Sequence, residues 1–178
     1  MQRWCLVILF ISTAAIAAPK ATTIGIGYAV NRTQDVNPQY PVWQGSGQLF
    51  ANYYFHPWGA HLEFNGLGGE RSSNIGNYSV RASSYDTMAW ARYEINPKPN
   101  VSPYVGAGIG WAFGHVTTSF GSAQDSRWTN GGSLIGLAGG IAICAAELVK
   151  FEGEMRVTKN DETADPNYAI ILRSGVIF

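Results

Sequence analysis

The chain has 178 residues, a length that suits one domain with its own core. Lys plus Arg and Asp plus Glu are equal at 12 each, so no basic surface for nucleic acid is expected. Charged residues make up only 13%, low for a soluble protein of this size, with 21 glycines; hydropathy nevertheless averages near zero, as alternating strands produce when their apolar and polar faces cancel.

The N-terminus reads as an export signal. Arg3 supplies the positive start, Leu6 to Ile11 form an apolar run, and Ser12 to Ala18 turn small. Ala15-Ile16-Ala17 fits a small-x-small cleavage site, so residues 1–17 are expected to be a signal peptide and 18–178 the mature domain. Cys5 would leave with the signal. Cys144 then has no disulfide partner and, among Ile141 to Ala146, reads as a small apolar filler. The most apolar stretch left, Leu134 to Ala146, is short and rich in Gly and Ala. A helix needs about twenty apolar residues to cross a bilayer, so any insertion must use a closed barrel.

Alternation of apolar and polar residues predicts strands at about Ala21–Asn31, Gly45–Phe55, Ala60–Glu70, Ser83–Ile95, Ser102–Val116, Ser133–Ile143, Leu148–Lys159 and Tyr168–Phe178. The connections alternate in length. His56 to Gly59, Asn96 to Asn100 and Cys144 to Glu147 are short; Asn31 to Ser46, Arg71 to Ala82, Thr117 to Gly132 and Asn160 to Asn167 are longer and polar. Long external loops with tight periplasmic turns are the mark of an outer-membrane barrel. The fold expected is all-β: an eight-stranded antiparallel transmembrane β-barrel of up-and-down topology.

The segment Val149 to Val157 shows which way the faces point. Val149, Phe151, Gly153, Met155 and Val157 are uncharged, whereas Lys150, Glu152, Glu154 and Arg156 between them are all charged. Only a period of two separates these sets. With apolar sets outward, aromatics fall at two heights: Tyr28, Tyr85, Trp111, Phe113 and Tyr168 above, Tyr53, Phe55, Tyr93, Phe151 and Phe178 below. Two girdles around an aliphatic band match two membrane interfaces. The strand charges Glu63, Asp86, Arg92, Glu94, Lys150, Glu152, Glu154, Arg156 and Arg173 all fall on the other face, and their near neutrality predicts a lumen filled by ion pairs, with Glu94 and Arg173 as first candidates for partners.

Pro103-Tyr-Val-Gly-Ala-Gly-Ile-Gly-Trp111, in a chain of this size with an export signal and a terminal Phe178, resembles the small outer-membrane β-barrel proteins: the OmpA transmembrane domain, OmpX and related bacterial surface antigens. The terminal strand, with Phe178, Val176, Ser174, Leu172, Ile170 and Tyr168 on one almost wholly apolar face, resembles the C-terminal signal read by the barrel-assembly machinery. The resemblance implies a bacterial outer-membrane location, with lipid and lipopolysaccharide as surroundings.

Candidate chemistry is sparse. Gly106, Gly108 and Gly110 follow a strand period, not G-x-G-x-x-G, and read as small residues in a narrow lumen. His56, His61 and His115 share no metal-ligand spacing. His115, Ser119 and Asp125 offer the residue types of a hydrolytic triad but not a recognisable motif. No catalytic, cofactor or metal site is therefore expected. Aromatics and arginine in the long loops (Tyr40, Trp43, Arg127 and Trp128) are candidates for contact with an extracellular ligand or for covering the barrel. The expectation is a non-enzymatic structural or adhesin-like surface protein, with a small porin-like channel and a lipid A-modifying enzyme as the rivals.

Overall fold

The computed structural model describes residues 22–33, 42–55, 57–67, 70–95, 100–146, 148–162 and 166–178. The expected signal peptide, Tyr40 and His56 lie outside them, and of Trp43 only the backbone is described. The strands are β1 (Thr22–Thr33), β2 (Val42–Phe55), β3 (Trp58–Leu67), β4 (Glu70–Ile75), β5 (Tyr78–Glu94), β6 (Val101–Phe120), β7 (Ala123–Ala146), β8 (Val149–Asn160) and β9 (Asn167–Ile177). All pairings are antiparallel between neighbours, and β1 pairs with β9 from Thr23↔Ile177 to Arg32↔Tyr168, closing the ring. Both β3 and β4 pair with β5, at Trp58↔Tyr93 to Asn65↔Asp86 and at Glu70↔Ser83 to Ile75↔Tyr78, so together they fill one place. The ring thus has eight positions. Near the end of β3, Gly66 takes a φ of 109°, and a Cβ there would run into the Ser84 carbonyl oxygen.

The faces are inverted relative to a soluble protein. Along β8, Lys150, Glu152, Glu154 and Arg156 are buried while Phe151, Met155 and Val157 are exposed. Ile26, Ile109, Leu137 and Leu172 are each at least 66% exposed, and Arg92 is only 1% exposed. Such apolar exposure is stable only against lipid.

Two expected loops are strands instead. Arg71 to Ala82 is the hairpin of β4 with β5, and Thr117 to Gly132 holds the hairpin of β6 with β7. Each turns in two residues, Gly76-Asn77 and Gly121-Ser122, with the glycines at φ 62° and 58°. Gly followed by Asn or Ser matches the positive φ of primed hairpin turns. Polarity on both faces hid these strands, because no apolar set remained to show the period. β6 and β7 have 20 and 24 residues, against the 9–11 needed to cross. Their outer halves, with those of β4 and β5, stand beyond the membrane as a sheet.

Candidate functional site

The lumen is built from the inward set of every strand. Glu154 on β8 is its hub. Arg92 donates to it from Nη2 at 2.7 Å, Arg156 from Nη2 at 2.7 Å, and Arg173 from Nη1 and Nη2 at 3.0 Å each; the Tyr104 hydroxyl adds a donor at 2.8 Å. Glu63 on β3 accepts from Arg156 at 2.8 Å and from Arg173 at 3.0 Å, and Glu152 accepts from Arg92 at 3.0 Å and meets Lys150 at 3.2 Å. Glu63, Glu152 and Asp86 join Glu154 against Arg92, Lys150, Arg156 and Arg173, so the formal charges cancel. A buried pair is stabilised when further hydrogen bonds satisfy its remaining donors and acceptors. Amides supply several of them: Gln48 donates to Glu63 at 2.9 Å and Asn52 to Glu152 at 2.9 Å, while Asn65 binds Asp86; among the described residues, Arg92 Nε and Trp90 Nε1 are buried without a partner.

Arg173 therefore pairs with Glu63, Glu154 and, more loosely at 3.5 Å, Glu152, and not in the expected way with Glu94. Glu94 sits half-buried at the short-turn end of the barrel, where its backbone N–H donates to the Pro57 carbonyl at 2.8 Å. Strand order explains the difference. β9 is flanked by β8 and β1, so the β8 carboxylates reach Arg173 from the next strand.

Sequence reasoning missed the uncharged half of this core. Gln48, Asn52, His61 and Asn65 are buried, as are Phe50, Met88, Trp90 and Tyr104. Each lumen cation lies over a ring: Lys150 over Tyr54 at 3.8 Å, Arg156 over Trp90 at 4.2 Å, Arg92 over Tyr104 at 4.5 Å and Arg173 over Phe50 at 5.8 Å. Glycines make room for these side chains. A Cβ on Gly108 would come within 2.5 Å of the Trp90 ring, and one on Gly140 within 2.6 Å of the Tyr104 hydroxyl. The signal was present: Gln48, Phe50, Asn52 and Tyr54 alternate with Leu49, Ala51, Tyr53 and Phe55.

On the outer surface Tyr28, Trp111, Tyr168, Phe55, Tyr93, Phe151 and Phe178 are exposed, and Tyr53, Tyr85 and Phe113 are partly covered by neighbours. Tyr85 stacks on Phe64 and Phe113 at 6.0 and 5.6 Å, and Trp128 joins Tyr85 at 5.8 Å. Trp128 reaches this face because β7 carries one extra residue opposite Trp111 to Phe113, at Gly131-Gly132. Such a bulge exchanges inward and outward positions beyond it. Trp128 and Arg127 thus belong to strand β7, on opposite faces, and not to a loop.

The triad candidates are not assembled. His115 and Ser119 lie on one strand, roughly 14 Å apart at 3.4 Å per residue. Asp125 pairs with Thr118 and so shares its face, the opposite one. Among the described residues no cluster of three His, Cys, Asp or Glu side chains could hold a metal ion.

A closed ring of antiparallel strands, apolar outside, ionic inside and belted by aromatics, is an outer-membrane β-barrel. The chain belongs to the outer membrane protein beta-barrel domain family, whose model matches residues 4–169. It is similar in fold to Ail, the attachment invasion locus protein of Yersinia pestis, at 19% identity and TM-score 0.62, over 90% of this chain and 100% of that one. Ail in complex with the heparin analogue sucrose octasulfate gives a TM-score of 0.64 at the same identity and coverage. Neisserial surface protein A matches at 13% identity and TM-score 0.63, over 90% and 98%. The N-terminal barrel of Pseudomonas aeruginosa OprF matches at 15% and 0.53, over 90% and 100%. At these identities the likeness is one of fold. No curated protein matches in sequence.

Proposed function

We propose that the protein is a non-enzymatic surface protein, a plugged barrel that holds a β-sheet extension outside the cell to contact an extracellular ligand. The observation that carries this reading is the strand length: β6 and β7 run about twice the span a membrane needs. Their tip presents apolar side chains to water, with Phe120 66% exposed and its cross-strand partner Tyr78 43% exposed. Exposed aromatics on an ordered frame suit binding because little rotamer freedom is lost. Arg127 on β7 stands at the same end, and Trp43, expected in a loop, is on β2 opposite Arg32. Ail, an attachment protein by name and seen with a heparin analogue, supports recognition as the use of such a barrel. The proposal includes export by a cleaved signal of residues 1–17, assembly through the Phe178 strand, and lipopolysaccharide as the surrounding lipid.

The test is Tyr78→Ser with Phe120→Ser in protein displayed on bacteria. Attachment of those bacteria to host-cell monolayers and to immobilised heparin should fall while the amount of folded protein in the membrane stays constant. Attachment equal to that of the unsubstituted protein overturns the reading.

A further inference from the structure

The outer mouth of the barrel is a cup whose floor is the ion-pair core. Asn31, Ser46, Asn65, Ser84, Asp86 and Thr158, from β1, β2, β3, β5 and β8, line a cavity of about 130 Å³ there. Amide donors are spent on the wall: Asn31 Nδ2 donates to Ser46 Oγ at 3.2 Å, and Asn65 Nδ2 to Glu63 at 3.1 Å and to Asp86 at 2.5 Å. These residues therefore offer a ligand acceptors more than donors. Asp86 is the one carboxylate among the described lining residues. The arginines beneath it are taken up by Glu63, Glu152 and Glu154, whereas Asp86 meets an amide. A carboxylate accepts at about four lone-pair sites, so Asp86 keeps capacity for a donor arriving from the cavity.

Above the cup the same face of the external sheet continues. Asp86 pairs with Ala112, Ser84 with Gly114, Ala82 with Val116, Val80 with Thr118 and Tyr78 with Phe120, so one face of β5 and β6 climbs from the carboxylate to the aromatic tip. Beyond Ser84 that face is apolar but for Thr118. Ala82 and Val116 stand four residues, roughly 14 Å, above Asp86 and Ala112. Arg127 shares the face from β7, opposite Val116. A ligand that reaches Asp86 from outside thus lays its body on an apolar stripe and puts a compact donor into an acceptor-lined cup. A water takes about 30 Å³ of liquid, so the cavity displaces about four, which leaves room for an ammonium head and the first methylenes of its stem. A lysine ammonium has three donors and no acceptor. Calcium wants about six to eight oxygens with several carboxylates, more charge than Asp86 supplies. A free polyamine would bring further ammonium groups toward Arg127.

We propose that the mouth cup receives the ammonium group of a lysine side chain on an extracellular protein, whose neighbouring apolar residue packs on the stripe of Val80, Ala82 and Val116. Asp86 is the counter-charge, and the hydroxyl and carbonyl oxygens around it accept the remaining donors. The proposal deepens the ligand-binding reading above and rests on it: that reading depends on the Tyr78 and Phe120 tip, this one on Asp86.

Calorimetric titration of refolded protein in phosphatidylcholine bilayers tests it, with acetyl-Phe-Lys-amide as the probe and acetyl-Phe-norleucine-amide and spermidine beside it. A hydrogen bond to a charged group is worth about tenfold or more in affinity. The native protein should bind the lysine peptide at least about tenfold more tightly than the norleucine peptide, and more tightly than spermidine. D86N should abolish the difference between the two peptides. S84L, at an exposed position on the rim, fills the cup and should abolish binding of the lysine peptide. Folding is checked by the heat-dependent gel mobility of the barrel, and S84L carries the test should D86N lack the folded band. Equal binding of the two peptides by the native protein, undiminished lysine-peptide binding by a folded variant, or tighter binding of spermidine each overturns the assignment. Attachment lost with Tyr78→Ser and Phe120→Ser but no Asp86-dependent binding overturns the cup alone. Asp86-dependent binding with attachment unchanged by that pair overturns the adhesive reading and leaves the cup.

Discussion

Replacing Glu154 by glutamine probes the lumen at its hub. The substitution keeps shape and one carbonyl acceptor but removes the charge that meets Arg92, Arg156 and Arg173 at 2.7–3.0 Å. Each charged hydrogen bond contributes about 1.5–3 kcal/mol net, and an interior left with one uncompensated cation loses about 3–5 kcal/mol. Glu63 and Glu152 still engage the same guanidiniums, so the lower half of that range, about 3–4 kcal/mol, is expected. With an m-value of about 2 kcal/mol/M, the urea midpoint in detergent should drop by roughly 1.5–2 M. A second substitution, Arg173→Met, made in the Glu154→Gln background removes the surplus charge. It should cost at least about 1 kcal/mol less there than in the native chain, since groups in one network couple. A midpoint within about 0.3 M of native for Glu154→Gln, with additive effects of the two substitutions, would refute the network as the stabilising core.

Other consequences can be measured separately. Gly108→Val drives a branched side chain into the Trp90 ring, so folded yield should fall sharply, and Trp90→Ala in the same chain should restore part of it. Ile109→Arg places a cation at a lipid-facing position that is 68% exposed. It should cost about 2–4 kcal/mol in bilayer unfolding titrations, whereas Asp125→Asn on the external sheet should change stability by less than about 0.5 kcal/mol. The native chain in a planar bilayer should give no stable discrete openings because its lumen is filled; regular openings would show a continuous water path.

The transmembrane half of the fold was legible because lipid enforces strict alternation. Along β8 every charged residue from Lys150 to Arg156 points inward, and one period settles the facing of the strand. The external sheet was not legible by the same rule. From Glu70 to Ser83 polar residues fill both odd and even positions, so polarity carries no period, and only Gly76-Asn77 marked the hairpin. Pairing inside the lumen was harder still. Charge identities at Glu63 and Arg173 were plain, but which carboxylate meets which guanidinium depends on the stagger of strands around the ring. The bulge at Gly131-Gly132 had a visible Gly-Gly signal, yet its effect on Trp128 follows only once β7 is seen to continue through it.

The lumen contacts also join distant parts of the chain. Arg173 reaches Glu63 across 110 residues, Asn52 reaches Glu152 across 100, and Arg156 reaches Glu63 across 93. None of these contacts exists in a half-built sheet, because β3 and β9 meet across the interior only after β1 has zipped to β9. Until then the ionic face of β8 would lie open to acyl chains, at a cost of up to about 2–4 kcal/mol for each basic residue at mid-depth. Insertion and closure are thereby tied into one event. The chain has no comfortable intermediate within the bilayer, and its assembly rate is set by the last seam to form, with the slow kinetics expected of long-range pairing.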